Sequence, residues 1–386
     1  MAADPHNVVR LILPRPVGGE VGGEYHHAAD SLREWRELRI LVTDPEPALY
    51  VYEQSSPAML QRGLIGAIRL MPPEAGVVLP HEDVSPGPVA GRLKLMEATQ
   101  ANLEPIFLLY DGGEGEPGAT ARIVARTAAK TPLAQARTSD GHRHRLWAVT
   151  DPADLAAIAD DLAPRQALIA DGHHRYAAYL QLQDRMHRAG AGSGPWDYGL
   201  ALLVDSAGYP PRVGAIHRVI SGLEASRAAR LAAAAFSVRP LSHEISDLPA
   251  ALEALEDASD LGPAFVIVDR VSAFLLTDPD PAQTHAAMPA GTSPQWRALP
   301  ASIMQELLIS RLWELTDDDR VVLAVHDAKA AVRSAQVSGG MAVLCSPMSR
   351  AEVYQVAARG EKVPRKSTSF APKPRTGLVM RLFAEG

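Results

Sequence analysis

The chain has 386 residues, of which 47% are hydrophobic and 22% are charged, and its formal net charge is -7. This composition is typical of a globular protein with two or three domains rather than of a disordered one. The acidic balance argues against a general attraction to nucleic acid or to anionic membranes. The only cysteine is Cys345, which excludes an intramolecular disulfide bond. We expect a soluble cytoplasmic protein, because we find neither a secretory signal nor a membrane-spanning run.

Short apolar runs predict strands, and apolar residues at helical spacing predict helices. The predicted strands are 48–54, 62–70, 106–110, 166–170, 200–204, 214–220, 264–268, 273–276, 321–325, 341–345 and 378–383. The predicted helices start at residues 25 and 174, cover 90–102, 302–313 and 351–358, and include an alanine-rich helix after 223. Strands and helices do not alternate strictly, which predicts a mixed α/β (α+β) fold with two lobes.

A cluster of polar residues lies where the predicted strand 166–170 turns into a helix. The cluster consists of Asp171, Gly172, His173, His174 and Arg175. The unpaired N–H groups of a helix start, and the positive end of its dipole, suit a phosphate group. Turn formation alone explains an Asp-Gly pair, since Asp is a good N-cap and Gly a turn residue. Four polar or ionisable side chains at one corner favour a binding site over that simpler interpretation.

Each residue of this corner has a possible role in phosphoryl transfer, which needs donors to phosphate oxygens, a divalent ion and a base. Gly172 would let the backbone approach a phosphate closely, and Arg175 would present a planar fork to two oxygens. Asp171 could hold Mg²⁺ or act as the base. His173 and His174 could donate to phosphate or transfer a proton near neutral pH.

A second polar group precedes another predicted helix. His81, Glu82 and Asp83 lie in the loop before it, and Arg92 lies on the helix. Paired carboxylates beside a histidine suit a metal site or a base. The alternative is that the two acidic residues only complement the dipole of the helix start. That alternative explains neither the histidine nor the SPGP turn that follows, and both interpretations stay open.

The third polar group lies near the C-terminus. Lysine is rare in this chain, and three of its six lysines fall within residues 362–373. The basic residues are Lys362, Arg365, Lys366 and Lys373, and the neighbouring hydroxyl groups are those of Ser367, Thr368 and Thr376. This mixture suits an anionic ligand or a phosphate clamp. A solvated basic tail is the alternative, but the interspersed prolines favour an ordered segment.

The motif ADGHHRYAAY at 170–179 resembles the signature of the DUF1015 family, a bacterial domain of unknown function. Further segments resemble that family in order and spacing: ALYVYEQ (48–54), HEDVSPGPVAGRLKLMEATQANLEPIFLLYD (81–111), HRLW (144–147), IHRVI (216–220) and VPRKSTSFAPKPRTGLV (363–379). The resemblance extends over nearly the whole chain. A PPYDV-like stretch of the family has no counterpart here, so one contributor to the family's site is expected to be missing or replaced.

The strand–DGHHR–helix arrangement also resembles the ParB/sulfiredoxin-like superfamily, whose members bind nucleotide phosphates at an arginine-containing corner. Archaeal relatives with a similar element are nucleotide-dependent serine kinases. The resemblance implies a nucleoside di- or triphosphate (ATP, ADP or CTP) with Mg²⁺, and a small-molecule acceptor such as a hydroxyl-bearing amino acid. The chain has no HExxH, Walker-type GKS/T or GxSxG motif, which excludes the zincin, P-loop and α/β-hydrolase sites.

We therefore predict a nucleotide-dependent small-molecule kinase or nucleotide phosphohydrolase, with a nucleotide-switched binding protein as the alternative. A metal-dependent nuclease is a third hypothesis, against which the acidic balance counts. The predicted catalytic residues are Asp171, His173, His174 and Glu82, and the predicted Mg²⁺ ligands are Asp83 and Asp171. The predicted cofactor-binding residues are Gly172, Arg175, Lys366, Ser367, Thr368, Lys373 and Arg92. We place a core domain at 1–222, a second lobe at 223–300 and a C-terminal segment completing the site at 301–386.

Overall fold

The computed structural model describes residues 4–15, 23–113, 115–242, 247–316, 318 and 320–383. Its contacts divide the chain into a first unit, Met1–Pro211 with Pro372–Gly386, and a second unit, Arg212–Ala371. Both units combine helices and sheets, which confirms the predicted mixed α/β fold class. The domain limits predicted at residues 222 and 300 stay a prediction, for which limited proteolysis is the test.

The first unit contains the predicted corner. Its helices are α1 (Val9–Ile12), α2 (Gly23–Glu37), α3 (Pro86–Thr99), α4 (Ala119–Ala128), α5 (Pro152–Leu162) and α6 (His173–Arg188). Its strands are β1 (Leu49–Ser56), β2 (Met59–Arg69), β3 (Val78–Leu79), β4 (Ala101–Asn102), β5 (Ile106–Tyr110), β6 (Ala134–Arg137), β7 (Arg143–Val149), β8 (Ala167–Asp171) and β9 (Tyr198–Asp205).

Eight of these strands form one sheet in the order β3-β8-β5-β9-β2-β1-β7-β6. The pairs β3/β8 and β5/β9 are parallel, and the other neighbouring strands are antiparallel. Apolar side chains from β5, β8 and β9 pack against α3 and α6 in one core, and β1, β2 and β7 pack against α4 and α5 in another. The end of the buried strand β8 is thereby fixed beside the starts of two helices.

Helix α3 begins at Pro86, four residues before its predicted start. The sequence analysis assigned the SPGP segment to a turn, but Ser85 is the N-cap and both prolines lie in the first helical turn. Proline suits that position because its fixed φ is helical and the N–H group that it lacks would have no partner there. The helix ends at Thr99, where Gln100 adopts a left-handed φ of 50°.

The second unit has its own core. Its strands are β10 (Arg212–Gly214), β11 (His217–Ile220), β12 (Ser237–Leu241), β13 (Phe265–Val268), β14 (Ala273–Thr277), β15 (Val322–Val325), β16 (Met341–Cys345) and β17 (Ser369–Ala371). Its helices are α7 (Ala225–Ala232), α8 (Leu248–Ser259), α9 (Pro281–Ala287), α10 (Pro294–Ala298), α11 (Pro300–Ser302), α12 (Ala328–Ser338) and α13 (Arg350–Ala357), with a π-helical segment at Ile303–Leu312.

Six strands of the second unit form an antiparallel sheet in the order β12-β14-β13-β16-β11-β15, and β10 pairs separately with β17. In the last part of the chain, β18 (Arg381–Leu382) pairs with β4 of the first unit. Within the described residues, no helix has both the length and the apolarity that a membrane span requires.

Candidate functional site

The corner after β8 depends on a left-handed glycine. Four buried apolar residues of β8 lead to Asp171, and Gly172 then adopts φ 100° before α6 starts at His173. A Cβ atom at residue 172 would lie only 3.0 Å from the side chains of both Arg175 and Ile106. The strand–turn–helix arrangement predicted from the sequence is therefore present, and glycine is required by both its φ angle and its close packing.

Asp171 lies between two cations. Its carboxylate accepts a hydrogen bond from Arg175 Nη2 and another from Lys373 Nζ, each at 2.6 Å. The Lys373 side chain is 59% exposed, whereas the Arg175 side chain is 15% exposed. The three groups together carry one positive charge, and the exposed ammonium group is the part that an incoming anion reaches first.

The guanidinium group of Arg175 has partners within the protein on more than one side. Its Nη1 donates to the carbonyl oxygen of Pro105 at 2.6 Å and lies 3.9 Å from the Glu104 carboxylate. Glu104 in turn accepts a hydrogen bond of 2.8 Å from Arg92, which also donates to the Ile12 carbonyl. This network holds Arg175 in the corner, and the predicted phosphate contacts of Arg175 and Arg92 stay a prediction.

A small cavity of roughly 20 Å³ lies beside this network, which is space for about one water molecule. Its lining residues are Arg92, Leu95, Met96, Ala101, Asn102, Leu103, Glu104, Arg175 and Tyr179. Sequence reasoning did not single out Glu104, because a lone glutamate before a proline has no local signal for a partner on α6. The cavity is too small for a nucleotide.

The two histidines of the corner hold the loop that precedes α3. The backbone N–H of His81 donates to His173 Nε2 at 3.3 Å, and the backbone N–H of Ser85 donates to His174 Nε2 at 3.1 Å. An imidazole nitrogen that accepts a hydrogen bond is not protonated, so this geometry places the proton of each neutral ring on Nδ1. Burial and the nearby charge of Arg92 lower the pKa of His174, which also favours the neutral ring.

The same contacts bring the second predicted group to the corner. The Glu82 carboxylate lies 3.9 Å from His173 Nδ1 and 4.0 Å from His81 Nε2. Glu82 is therefore near the proton-bearing nitrogen of His173, although the distance exceeds that of a hydrogen bond. The next residue, Asp83, is exposed. The structure thus joins residues 81–85 to residues 171–175, while the catalytic roles assigned to them stay predictions.

Helices α3 and α6 start at the same place and run in the same direction. The Ser85–His174 hydrogen bond connects their N-terminal ends, and an ion pair between Glu97 and Arg185 connects them near their C-terminal ends. Among the described contacts, neither N-cap residue, Ser85 or Gly172, bonds a helix N–H group through its side chain. Two uncapped, positive helix ends therefore meet beside Lys373.

The C-terminal basic group is distributed over both units. Lys373 belongs to the first unit and reaches Asp171, whereas Lys366, Ser367 and Thr368 belong to the second unit. The buried Arg218 donates at 3.0 Å to the carbonyl oxygens of residues 216, 365 and 366, and Lys366 has a left-handed φ of 52°.

The two hydroxyl residues of this group are buried in the second unit. Ser367 is 6% exposed and donates to the Pro364 carbonyl, and Thr368 is 8% exposed. The side chain of Arg218 holds the loop at residues 365–366, in which Lys366 has a left-handed conformation. Non-glycine residues in such a conformation are enriched at functional sites. That Lys366, Ser367 and Thr368 bind the same ligand as the corner stays a prediction.

The predicted Mg²⁺ site was assigned to Asp83 and Asp171. No group of three or more histidine, cysteine or acidic side chains with metal-binding geometry occurs among the described residues. Two carboxylates can still hold Mg²⁺, since the ion keeps several waters and binds substrate phosphates. Because Asp171 already pairs with Lys373, an ion at that carboxylate would have to displace the ammonium group. The assignment stays a prediction.

The chain is similar to one sequence family and to several solved structures. A family model described as "Protein of unknown function (DUF1015)" matches residues 1–302. No curated protein matches the chain. Among solved structures, the chain is similar to a mutant free serine kinase in complex with ADP. The two sequences are 15% identical, the TM-score is 0.42, and the likeness covers 83% of this chain and 93% of that chain.

Two further solved structures show a similar level of likeness. One is a conserved hypothetical protein from Pyrococcus furiosus, at 13% identity and a TM-score of 0.37, over 83% of this chain and 96% of that chain. The other is SbnI with a C-terminal truncation from Staphylococcus aureus, at 12% identity and a TM-score of 0.40, over 81% and 84% of the two chains. At these low scores the relation to the ParB/sulfiredoxin-like superfamily stays a prediction.

Proposed function

The chain belongs to the DUF1015 family, and from its Asp171–Arg175 corner we propose that it is a nucleotide-dependent small-molecule kinase or nucleotide phosphohydrolase. The cofactor is a nucleoside di- or triphosphate whose phosphates lie at the joint N-terminal end of α3 and α6. The acceptor is a hydroxyl group of a small molecule such as an amino acid, or water in the hydrolytic case.

The observation that supports this proposal is the meeting of two uncapped helix starts beside an exposed lysine. Parallel helices side by side place their positive ends together, and an anion at that point stabilises both. Backbone N–H groups in the first turn of α6 can donate to phosphate oxygens, whereas in the first turn of α3 the two prolines have no N–H group and Gly87 is the donor. Lys373 can add one charge-assisted hydrogen bond. Two helix starts and the single net positive charge of Asp171, Arg175 and Lys373 suit a phosphate better than a neutral ligand.

The roles of the polar side chains follow from their partners. Asp171 pairs with two cations, so its carboxylate orients them. Glu82 is the better candidate base, because its carboxylate lies beside the corner, 3.9 Å from His173 Nδ1. His173 and His174 hold the 81–85 loop through Nε2.

Mg²⁺ would neutralise charge on the phosphate oxygens when it is bound with the nucleotide. Asp83 is an exposed carboxylate in the same loop as Glu82, so it can bind the ion from the solvent side. Asp171 can contribute only after Lys373 moves from the carboxylate to a phosphate oxygen. That exchange would couple nucleotide binding to a movement of the segment after residue 371.

The ion pair between Lys373 and Asp171 also favours the second candidate, a nucleotide-switched binding protein without significant turnover. The same exchange of Lys373 between Asp171 and a phosphate would report the presence of a nucleotide without any chemical step. A ligand shifts such an equilibrium by its differential affinity for the two arrangements. Nucleotide binding with negligible phosphate release would favour this candidate over the enzyme.

A thermal-shift panel tests the proposed function. The ligands are ATP, ADP, CTP, GTP and inorganic phosphate, each with Mg²⁺, and the proteins are wild type, Lys373→Ala and the control Lys130→Ala. Lys130 is an exposed lysine in the same unit. A ligand at about a hundred times its dissociation constant adds roughly 2.7 kcal/mol to the free energy of unfolding, which raises the melting temperature by several degrees.

We expect a nucleotide-specific shift in wild type and Lys130→Ala that is strongly reduced in Lys373→Ala. The absence of a shift with every nucleotide would contradict the proposal. An undiminished shift in Lys373→Ala would separate nucleotide binding from the corner.

A further inference from the structure

Four buried polar side chains form a patch on one face of the eight-stranded sheet of the first unit. Tyr52 and Gln54 are two residues apart on β1 and so point to the same face. Gln61 of β2 and His144 of β7 both stand opposite Gln54 in the register. Each of the four is between 1% and 3% exposed. We call these four residues the amide patch.

Three members of the amide patch bond to one another. The Tyr52 hydroxyl group lies 2.9 Å from His144 Nδ1, donates to Gln54 Oε1 at 3.3 Å, and accepts from the backbone N–H of Arg375 at 3.2 Å. His144 Nε2 lies 3.2 Å from the Thr138 hydroxyl group. These polar groups are satisfied within the protein, as buried polar groups usually are.

Gln61 differs from the other three. Among the described residues, neither Nε2 nor Oε1 of its carboxamide has a hydrogen-bond partner, and both atoms are buried. A buried carboxamide without partners is destabilising, whereas an apolar side chain of similar size would not be. A buried water molecule or a ligand group would supply the two partners that Gln61 lacks among the described residues.

The chemistry of a carboxamide narrows that partner. Its N–H donor and its carbonyl acceptor lie side by side, so the complementary ligand presents an acceptor and a donor side by side. The edge of a nucleobase has this pattern, and glutamine pairs with adenine in this way through two hydrogen bonds. A phosphate offers only acceptors, and an ammonium group offers only donors.

The two ionisable members of the amide patch, Tyr52 and His144, favour their uncharged forms at neutral pH. Burial raises the pKa of Tyr52 to about 12, and burial together with the charge of Arg375 lowers the pKa of His144. The Arg375 side chain pairs with Asp140, which leaves no uncompensated charge there. A neutral heterocycle suits this patch better than an ion does.

A short segment connects the amide patch to the phosphate corner. Lys373 donates to Asp171 at the corner, and the N–H of Arg375 donates to Tyr52 in the patch. Two residues of extended chain span only about 7 Å. The two places are thus at the two ends of one short segment, just as the phosphates and the base are at the two ends of a nucleotide.

We propose that the amide patch binds the base of the nucleotide whose phosphates occupy the corner, with Gln61 making paired hydrogen bonds to the base edge. This inference rests on the proposed function, because it needs a nucleotide at the corner. It adds the part of the ligand that the corner itself does not contact, and it assigns base selectivity to Gln61.

The test compares ATP with inorganic tripolyphosphate, which has the phosphates but no base, by isothermal titration calorimetry on the full chain. The variants are Gln61→Leu and Gln61→Met, the second keeping the side-chain length in case leucine prevents folding. Gln183→Leu is the matched control, since its carboxamide donates to Asp197 within the protein.

We expect the Gln61 variants to bind ATP at least about tenfold more weakly, the loss of a paired hydrogen bond to a base, and to bind tripolyphosphate as wild type does. Their melting temperature without ligand should equal or exceed that of wild type, whereas Gln183→Leu should lose stability and keep both affinities. Unchanged ATP affinity in the Gln61 variants would overturn the inference.

The two proposals fail in different ways. If wild type binds tripolyphosphate and ATP equally well, the corner binds phosphate but the amide patch does not read a base. If wild type binds neither ligand, both the proposed function and this inference are wrong.

Discussion

Gly172→Ala should be among the most destabilising substitutions at the corner. Gly172 adopts φ 100°, and a left-handed backbone costs an L-residue about 1–2 kcal/mol. The added Cβ would lie 3.0 Å from Arg175 Nη2 and from Ile106 Cγ2. Arg175 cannot move away cheaply, because Asp171 and the Pro105 carbonyl hold its guanidinium group. With about 1–3 kcal/mol for overpacking added to the backbone cost, we expect a total loss of about 2–5 kcal/mol.

Urea unfolding followed by circular dichroism measures this loss, and the other end of α6 provides the control. Gly190 follows that helix with φ 78°, and a Cβ at that position would meet nothing within 4 Å. Gly190→Ala therefore has only the cost of the left-handed backbone, about 1–2 kcal/mol. If Gly172→Ala costs no more than Gly190→Ala, the close packing around Arg175 does not restrict the corner and this reasoning is refuted.

Three further predictions concern other parts of the molecule. His174→Gln keeps an acceptor for the Ser85 N–H group, whereas His174→Asn does not. In urea unfolding, only the asparagine variant should therefore lose about 0.5–1.5 kcal/mol of the free energy of unfolding. Equal losses in the two variants would contradict the assigned hydrogen bond. Burial lowers the pKa of His217 to about 4, so between about pH 6.5 and 4 only the unfolded state binds the proton, and stability should fall by about 1–3 kcal/mol as the pH falls through that window. His217→Phe should abolish that pH dependence in urea titrations. Glu53 is fully buried between two arginines on neighbouring strands. Replacing it by glutamine should therefore lower the free energy of unfolding by about 2–4 kcal/mol. An unchanged melting temperature would exclude a stabilising role of the Glu53 carboxylate.

Two strands with a fully apolar sequence were predicted to the residue, whereas the apolar runs predicted at 264–268 and 200–204 are strands with other limits. The segments 106–110 and 341–345 are β5 and β16, because five consecutive buried side chains leave no doubt about the limits. Strand β7 was missed, since its sequence RHRLWAV mixes charged and apolar residues. Its Arg145 is neutralised by Glu53 of the neighbouring strand, and no local pattern contains that partner. Helices α4 and α5 were missed as well.

The candidate site was predictable where its residues adjoin in sequence. The DGHHR segment indicated a strand, a turn through glycine and a helix start, and the structure has all three, with the glycine in a left-handed conformation. The bonds from His173 and His174 to the loop before α3 join residues that are about ninety positions apart, so spacing could not show them. Gln61 was missed for another reason, because an unpaired carboxamide is visible only when every neighbour is known.

The central claim is that nucleotide phosphates bind at the joint start of α3 and α6. Hydrogen–deuterium exchange with mass spectrometry, with and without the nucleotide that gives the largest thermal shift, tests this claim most directly. We expect slower exchange in peptides covering residues 81–90 and 171–178 together, because a phosphate would engage N–H groups at both helix starts. Protection confined to other segments, with both helix starts unchanged, would contradict the account.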